Sequence, residues 1–138
     1  VDRLVPLFEA YRSFYRCAPD ADTAAAFLRE RLERNESVIL LAREAGGEIV
    51  GFAQLYPLFS STRMMRTWLL NDLFVAPTAR RRGVARALLK ATEDFAREMG
   101  AGELTLSTSI GNRVAQRVYA TAGWRRDDEF YTYIRDVR

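Results

Sequence analysis

The sequence predicts a single α/β (α+β) domain, and three observations carry that expectation. Helical and strand periodicities alternate along 138 residues, a length that suits one core rather than two independent domains. A glycine-bearing turn, Ala45-Gly46-Gly47-Glu48, separates two β-rich runs. The stretch Thr67 to Val75 is apolar almost throughout, as expected of a central strand covered on both faces.

Leu4, Leu7, Phe8, Tyr11 and Tyr15 recur near helical spacing and predict an amphipathic helix within Val1 to Arg16. Asp20 or Asp22 can cap a second helix running to about Arg34, with Ala24 to Ala26, Phe27 and Leu28 on its buried side. Ser37 to Arg43 reads as a strand, and Ile49 to Leu58 returns antiparallel beyond the glycine turn. Ser60 to Arg66 is polar and reads as a loop before the strand Thr67 to Val75, which Pro77 ends. Val84, Leu88, Ala91, Phe95 and Met99 mark a helix stopped by Gly100 to Gly102. Leu104 to Ser109 is a further strand and Asn112 to Ala122 a further helix. Glu129 to Val137 is a last strand, where Phe130, Tyr131 and Tyr133 would pack or form a subunit edge.

Composition narrows the chemistry. The chain is 49% hydrophobic and 28% charged, the balance of a soluble globular protein, and no apolar run reaches bilayer length, so no membrane association is expected. The lone Cys17 and the lack of a signal pattern lead us to expect the cytoplasm. Histidine is absent, which removes the commonest general base and the commonest metal ligand. Catalysis must rest on carboxylates, tyrosine, backbone dipoles or a cofactor, and no metal is expected. The formal charge of +3 suits an anionic ligand, yet acidic residues share the same segments, so no nucleic-acid partner is expected.

The strongest local signal is the loop Arg80-Arg81-Arg82-Gly83-Val84-Ala85, between a strand and a helix. A helix N-terminus presents unpaired N–H groups and a positive dipole end to an anion. Gly83 permits close backbone approach, Ala85 keeps the first turn slim, and the arginines add charge-assisted donors. By itself this pattern fits either a pyrophosphate cradle or a solvated basic loop.

Arg80, Gly83 and Ala85 match the Q/R-x-x-G-x-G/A motif, and a following strand, Leu104 to Thr108, leads to a helix bearing Asn112, Ala115, Tyr119 and Gly123. With both motifs in order, the stretch Asn71 to Trp124 resembles the GCN5-related N-acetyltransferase (GNAT) superfamily. The resemblance implies a mixed, mostly antiparallel twisted sheet, splayed between two parallel central strands and flanked by about four helices. Family members begin with a β-strand before the first helix, whereas this chain starts at the helix. That strand is expected to be absent, leaving an edge on which a second copy could pair as a homodimer.

The resemblance also implies acetyl-CoA as acyl-donor cosubstrate and the amine of a small molecule or peptide as acceptor. The backbone of Leu73, Phe74 and Val75 would hold the pantetheine arm at a β-bulge, and Arg80, Arg81, Arg82, Gly83, Val84, Ala85 and Arg86 the pyrophosphate. Asn112 and Ala115 would add cofactor contacts, and Tyr119 would be the general acid that protonates the departing thiolate. Trp68 to Val75 resembles the diamine acetyltransferase branch, with Asn71-Asp72 where Glu-Asp is common. Asn71 cannot be a base, so removal of the acceptor's proton would need Asp72, Glu103, an ordered water, or solvent acting on an already neutral amine, and Asp72 is either catalytic or a structural anchor. Alternation would point these two side chains to opposite faces. Asn71, Tyr15 and Tyr56 are expected to line the acceptor site, bordered by Phe14 and Phe59. The alternative is a non-catalytic acyl-CoA-binding regulatory domain on the same fold.

Overall fold

The computed structural model describes residues 1–138. Two compact units are distinguished, Val1–Ser107 and Thr108–Arg138. The larger begins with helix α1 (Val5–Phe14), followed by α2 (Ala21–Glu33), whose N-cap Asp20 accepts a hydrogen bond from the Thr23 amide. Strands β1 (Val38–Arg43), β2 (Ile49–Ser60) and β3 (Met65–Val75) form an antiparallel meander. A single 3-10 turn at Pro77–Ala79 leads to α3 (Val84–Glu98), and β4 (Glu103–Thr105) returns parallel to β3. The sheet order is β1-β2-β3-β4. No helix is long and apolar enough to cross a membrane.

Strand alternation assigns the two faces. Phe52 and Phe74 are register partners and join Leu4, Leu7, Phe8, Ala24 and Leu28 in a core under α1 and α2. The opposite face takes α3. A Cβ on Gly51 would lie 3.1 Å from Leu88 and 3.2 Å from Val84, so the missing side chain lets the start of α3 sit close on β2. Further along that face, the Trp68 and Phe95 rings meet at 5.0 Å. The buried stripe of α3 is Leu88, Leu89, Thr92 and Ala96, whereas Ala91 and Met99, expected on it, face outward. On α2, Ala24 and Leu28 carry the burial, and Phe27 lies at the margin, stacked 6.5 Å from Phe8.

A bulge sets the phase of β3. Gln54 pairs with Asp72 but Leu55 pairs with Leu70, so Asn71 is an extra residue without a register partner. Side chains alternate along a strand, so this single insertion lets Asp72 and Phe74 face α1 while Leu70 and Trp68 face α3. Parallel pairing with β4 covers only Thr67 to Leu69. Beyond that the strands part, and the segment Leu70 to Val75 has no ladder partner on its β4 side.

The smaller unit holds α4 (Arg113–Thr121), N-capped by Asn112 and ended by Gly123 at φ +93°. The expected last strand is not formed. Residues 125–138 have no regular structure, and Phe130, Tyr131 and Tyr133 are exposed. Their alternation is real in the sequence, but a strand exists only when a second strand satisfies its N–H and C=O groups, and this segment has none. The preceding strand is likewise shorter than the expected Leu104 to Ser109, because its pairing ends at Thr105.

Candidate active site

The turn from β3 to α3 carries the loop singled out in the sequence. Gly83 is the N-cap of α3 in the left-handed region at φ +79°, with no side chain capping the first turn. The first amides of α3 therefore lack a side-chain acceptor, the condition for holding an anion there. Nothing lies within 4 Å of the position a Gly83 Cβ would take, so the approach is open. Arg81 also adopts positive φ, at 62°.

The three arginines behave differently. Arg80 turns back on β3, donating from Nε to the Val75 carbonyl at 3.0 Å with its guanidinium 5.5 Å from the Phe74 ring centre. It ties the loop to the strand. Arg82 pairs with Glu44 at 3.0 Å on an exposed surface, a contact of little net strength. Arg81 and Arg86 are exposed, and Val84 and Ala85 are partly buried at the helix start. Leu73, Phe74 and Val75 lie on the stretch of β3 that has left β4.

Asp72 is buried on the α1 face and receives donors from three residues. Tyr11 Oη donates to Oδ1 at 2.7 Å, Asn71 Nδ2 to Oδ1 at 3.0 Å, and Gln54 Nε2 to Oδ2 at 2.6 Å. The expectation that Asn71 and Asp72 point to opposite faces fails here, since the bulge breaks alternation and their side chains are bonded to each other. Tyr11 and Gln54 were not among the sequence candidates. Tyr11 reads as one more residue of a core stripe, and Gln54 is tied to Asp72 only through strand register. Gln54 is fully buried, and its Oε1 has no protein donor.

Tyr15 and Phe14 close the last turn of α1, half-exposed, with the Tyr15 ring 5.2 Å from that of Tyr11. Tyr56 is half-buried on β2, and burial with the nearby Asp72 charge pushes its phenol up to about 12 against a weaker opposing effect of Arg31. Tyr11 is raised further, by burial first and then by Asp72. Phe59 is exposed and carries Arg66 over its ring instead. Glu103, a second carboxylate considered for proton removal, is paired with Arg63 at 2.8 Å.

These phenols predict a pH dependence. Unfolded tyrosine ionises near 10, so the folded state holds more protons above that pH. The contribution is fully present below pH 10 and is lost as pH rises toward about 12 for Tyr56. Urea midpoints followed by circular dichroism should fall above about pH 10, less steeply in Tyr56→Phe. A flat profile through that window would contradict the raised phenol.

In the smaller unit, Asn112 Oδ1 accepts from the Ala115 amide at 3.1 Å, so two residues expected to contact the cofactor are engaged with each other as a helix cap. The Asn112 carboxamide nitrogen is not used in that cap. Gln116, one turn on, donates to the Ser109 and Ile110 carbonyls at 3.0 and 2.8 Å and fixes the loop before α4. Tyr119 lies on the same helical stripe, its ring 6.3 Å from Trp124.

An uncapped helix N-terminus fed by a bulged strand that parts from its parallel neighbour is the α/β arrangement that the acetyltransferase resemblance implied. The sequence model described as "Acetyltransferase (GNAT) family" matches residues 4–124, and the chain belongs to that family. It is 50% identical over 134 residues to the Bacillus subtilis (strain 168) protein named "Uncharacterized N-acetyltransferase YhfO", covering 97% of this chain and 89% of that one. A Klebsiella aerogenes protein named "Aminoglycoside N(6')-acetyltransferase type 1" is 32% identical over 110 residues, covering 78% of this chain and 72% of that one. Among solved structures, the "Crystal structure of a probable acetyltransferase" superposes with a TM-score of 0.94 at 45% identity, covering 99% of this chain and 91% of that one.

Proposed function

We propose that this chain transfers the acetyl group of acetyl-CoA to a primary amine of a small molecule, by direct attack within a ternary complex. The observation that carries this reading is the uncapped start of α3 behind Gly83, reached through one 3-10 turn from the stretch Leu70 to Val75 of β3 that has no partner on its β4 side. The α3 amides and Arg81, with Arg86 nearby, suit a pyrophosphate, and the β4-side backbone edge at Leu73 to Val75, where Arg80 holds only the Val75 carbonyl, suits an extended amide-bearing arm. Acetyl-CoA supplies an activated thioester when bound. Tyr119 is assigned as general acid toward the thiolate, Asn112 and Ala115 as cofactor neighbours, and Asn71, Tyr15 and Tyr56 as the acceptor wall. Asp72 is assigned as the carboxylate that takes the acceptor's proton.

The small-molecule preference draws support from the relative named for aminoglycosides, and the aromatic rings at the end of α1 suit a cationic amine. The test is a mass-spectrometric screen with acetyl-CoA against polyamines, amino acids, aminoglycosides and peptides. Acetylated amine products are expected. CoA binding by calorimetry without any product would support the regulatory reading in its place.

A further inference from the structure

Asp72 is 5% exposed, so a proton released outside must reach it through one of its hydrogen-bond partners. Those partners are the carboxamides of Gln54 and Asn71 and the phenol of Tyr11. A carboxamide donates a hydrogen bond but does not hand over its proton. A phenol can give its proton inward and accept another on an oxygen lone pair. Tyr11 is half-buried, one helical turn from the exposed Tyr15, and its ring is held by Phe8, Phe52, Phe74 and Tyr15 at 5.2 to 6.1 Å. It bridges the acceptor wall and the buried carboxylate.

We propose that Tyr11 is a proton relay that carries the proton of the acceptor's ammonium group to Asp72. The inference rests on the amine-acetylation reading above. One N–H bond of the ammonium breaks as its proton joins Tyr11 Oη, while the Tyr11 O–H bond breaks as that proton joins Asp72 Oδ1. The products are a neutral amine, an unchanged phenol and a carboxylic acid, so charge and atoms balance without a further reactant. The acid returns its proton to solvent along the same path. Tyr11 never needs to ionise, and its surroundings oppose ionisation: burial and Asp72 on β3 raise it most, followed by Tyr15 on α1 and Tyr56 on β2. Arg31 on α2 acts on Tyr56.

The experiment compares kcat/KM across pH for wild type, Tyr11→Phe and Asp72→Asn, with the amine turned over fastest in the screen. Both variants should lose roughly 100-fold near pH 7, where the acceptor is protonated. The loss should shrink to under about threefold once pH exceeds the acceptor's own pKa, because a neutral amine needs no relay. Affinity for CoA should be unchanged. Asp72→Asn keeps an oxygen for Tyr11, and a flip of the Gln54 carboxamide turns Oε1 toward the new amide nitrogen, so the variant keeps the side-chain volume while removing the proton acceptor. Wild-type activity in Tyr11→Phe near pH 7 would overturn the relay, as would a pH-independent loss in Tyr11→Phe beside an active Asp72→Asn. A wild-type protein silent on every amine would remove the acetylation reading itself, and the relay with it.

Discussion

Gly83→Glu should weaken CoA binding by at least about 100-fold, or about 2.7 kcal/mol, measured by titration calorimetry. The position is the uncapped N-terminus of α3, where a carboxylate would compete for the amides a pyrophosphate needs and repel the phosphates directly. The fold should survive. No atom lies within 4 Å of the new Cβ, and the cost of a side chain at φ +79° is about 1–2 kcal/mol, partly offset by the favourable charge at a helix start. Gly83→Ala is the control, sharing the backbone strain without the charge. It should keep most of the affinity. If Gly83→Glu bound CoA like the wild type, the anion would have to sit elsewhere.

Tyr119→Phe should lower kcat by about 10²-fold with KM for the acceptor little changed, followed by thiol release. The phenylalanine keeps the ring that lies 6.3 Å from Trp124 and removes only the hydroxyl. A departing thiolate gains from a proton donor only while pH lies below the thiol's own pKa, about 8.5 for a simple thiol. The deficit should therefore narrow above that pH, the signature of a lost acid rather than a lost contact. Unchanged turnover would remove Tyr119 from this role.

The two pH profiles separate the ends of the reaction. Loss of Tyr11 or Asp72 should be relieved when the acceptor amine is neutral, whereas loss of Tyr119 should be relieved when the thiol is ionised. Their recoveries follow different pKa values, so one set of rate measurements distinguishes base-side from acid-side defects.

Local signals were legible where a short stretch contains its own cause. Asp20 capping α2, Gly83 opening α3 and Asn112 capping α4 each depend on a few neighbouring residues. The hairpin across Gly46 and Gly47 and the apolar strand ending before Pro77 belong to the same group. Signals failed where a distant partner decides. Phe130, Tyr131 and Tyr133 alternate as a strand would, yet no strand pairs with them. Ala91 and Met99 keep helical spacing but fall off the stripe that meets the sheet, because that stripe is set by where Gly51 admits α3.

The sequence by itself determined an acetyltransferase-family domain, because its Arg80-to-Ala85 loop and Asn112-to-Tyr119 helix are contiguous motifs. The environment of Asp72 was decided only in three dimensions. One extra residue at Asn71 turns the carboxylate toward α1, strand register sets Gln54 beside it, and helix packing brings Tyr11 across 61 positions to its oxygen. Linear spacing fixes which residues share a helix or strand face, but register and packing fix which faces meet.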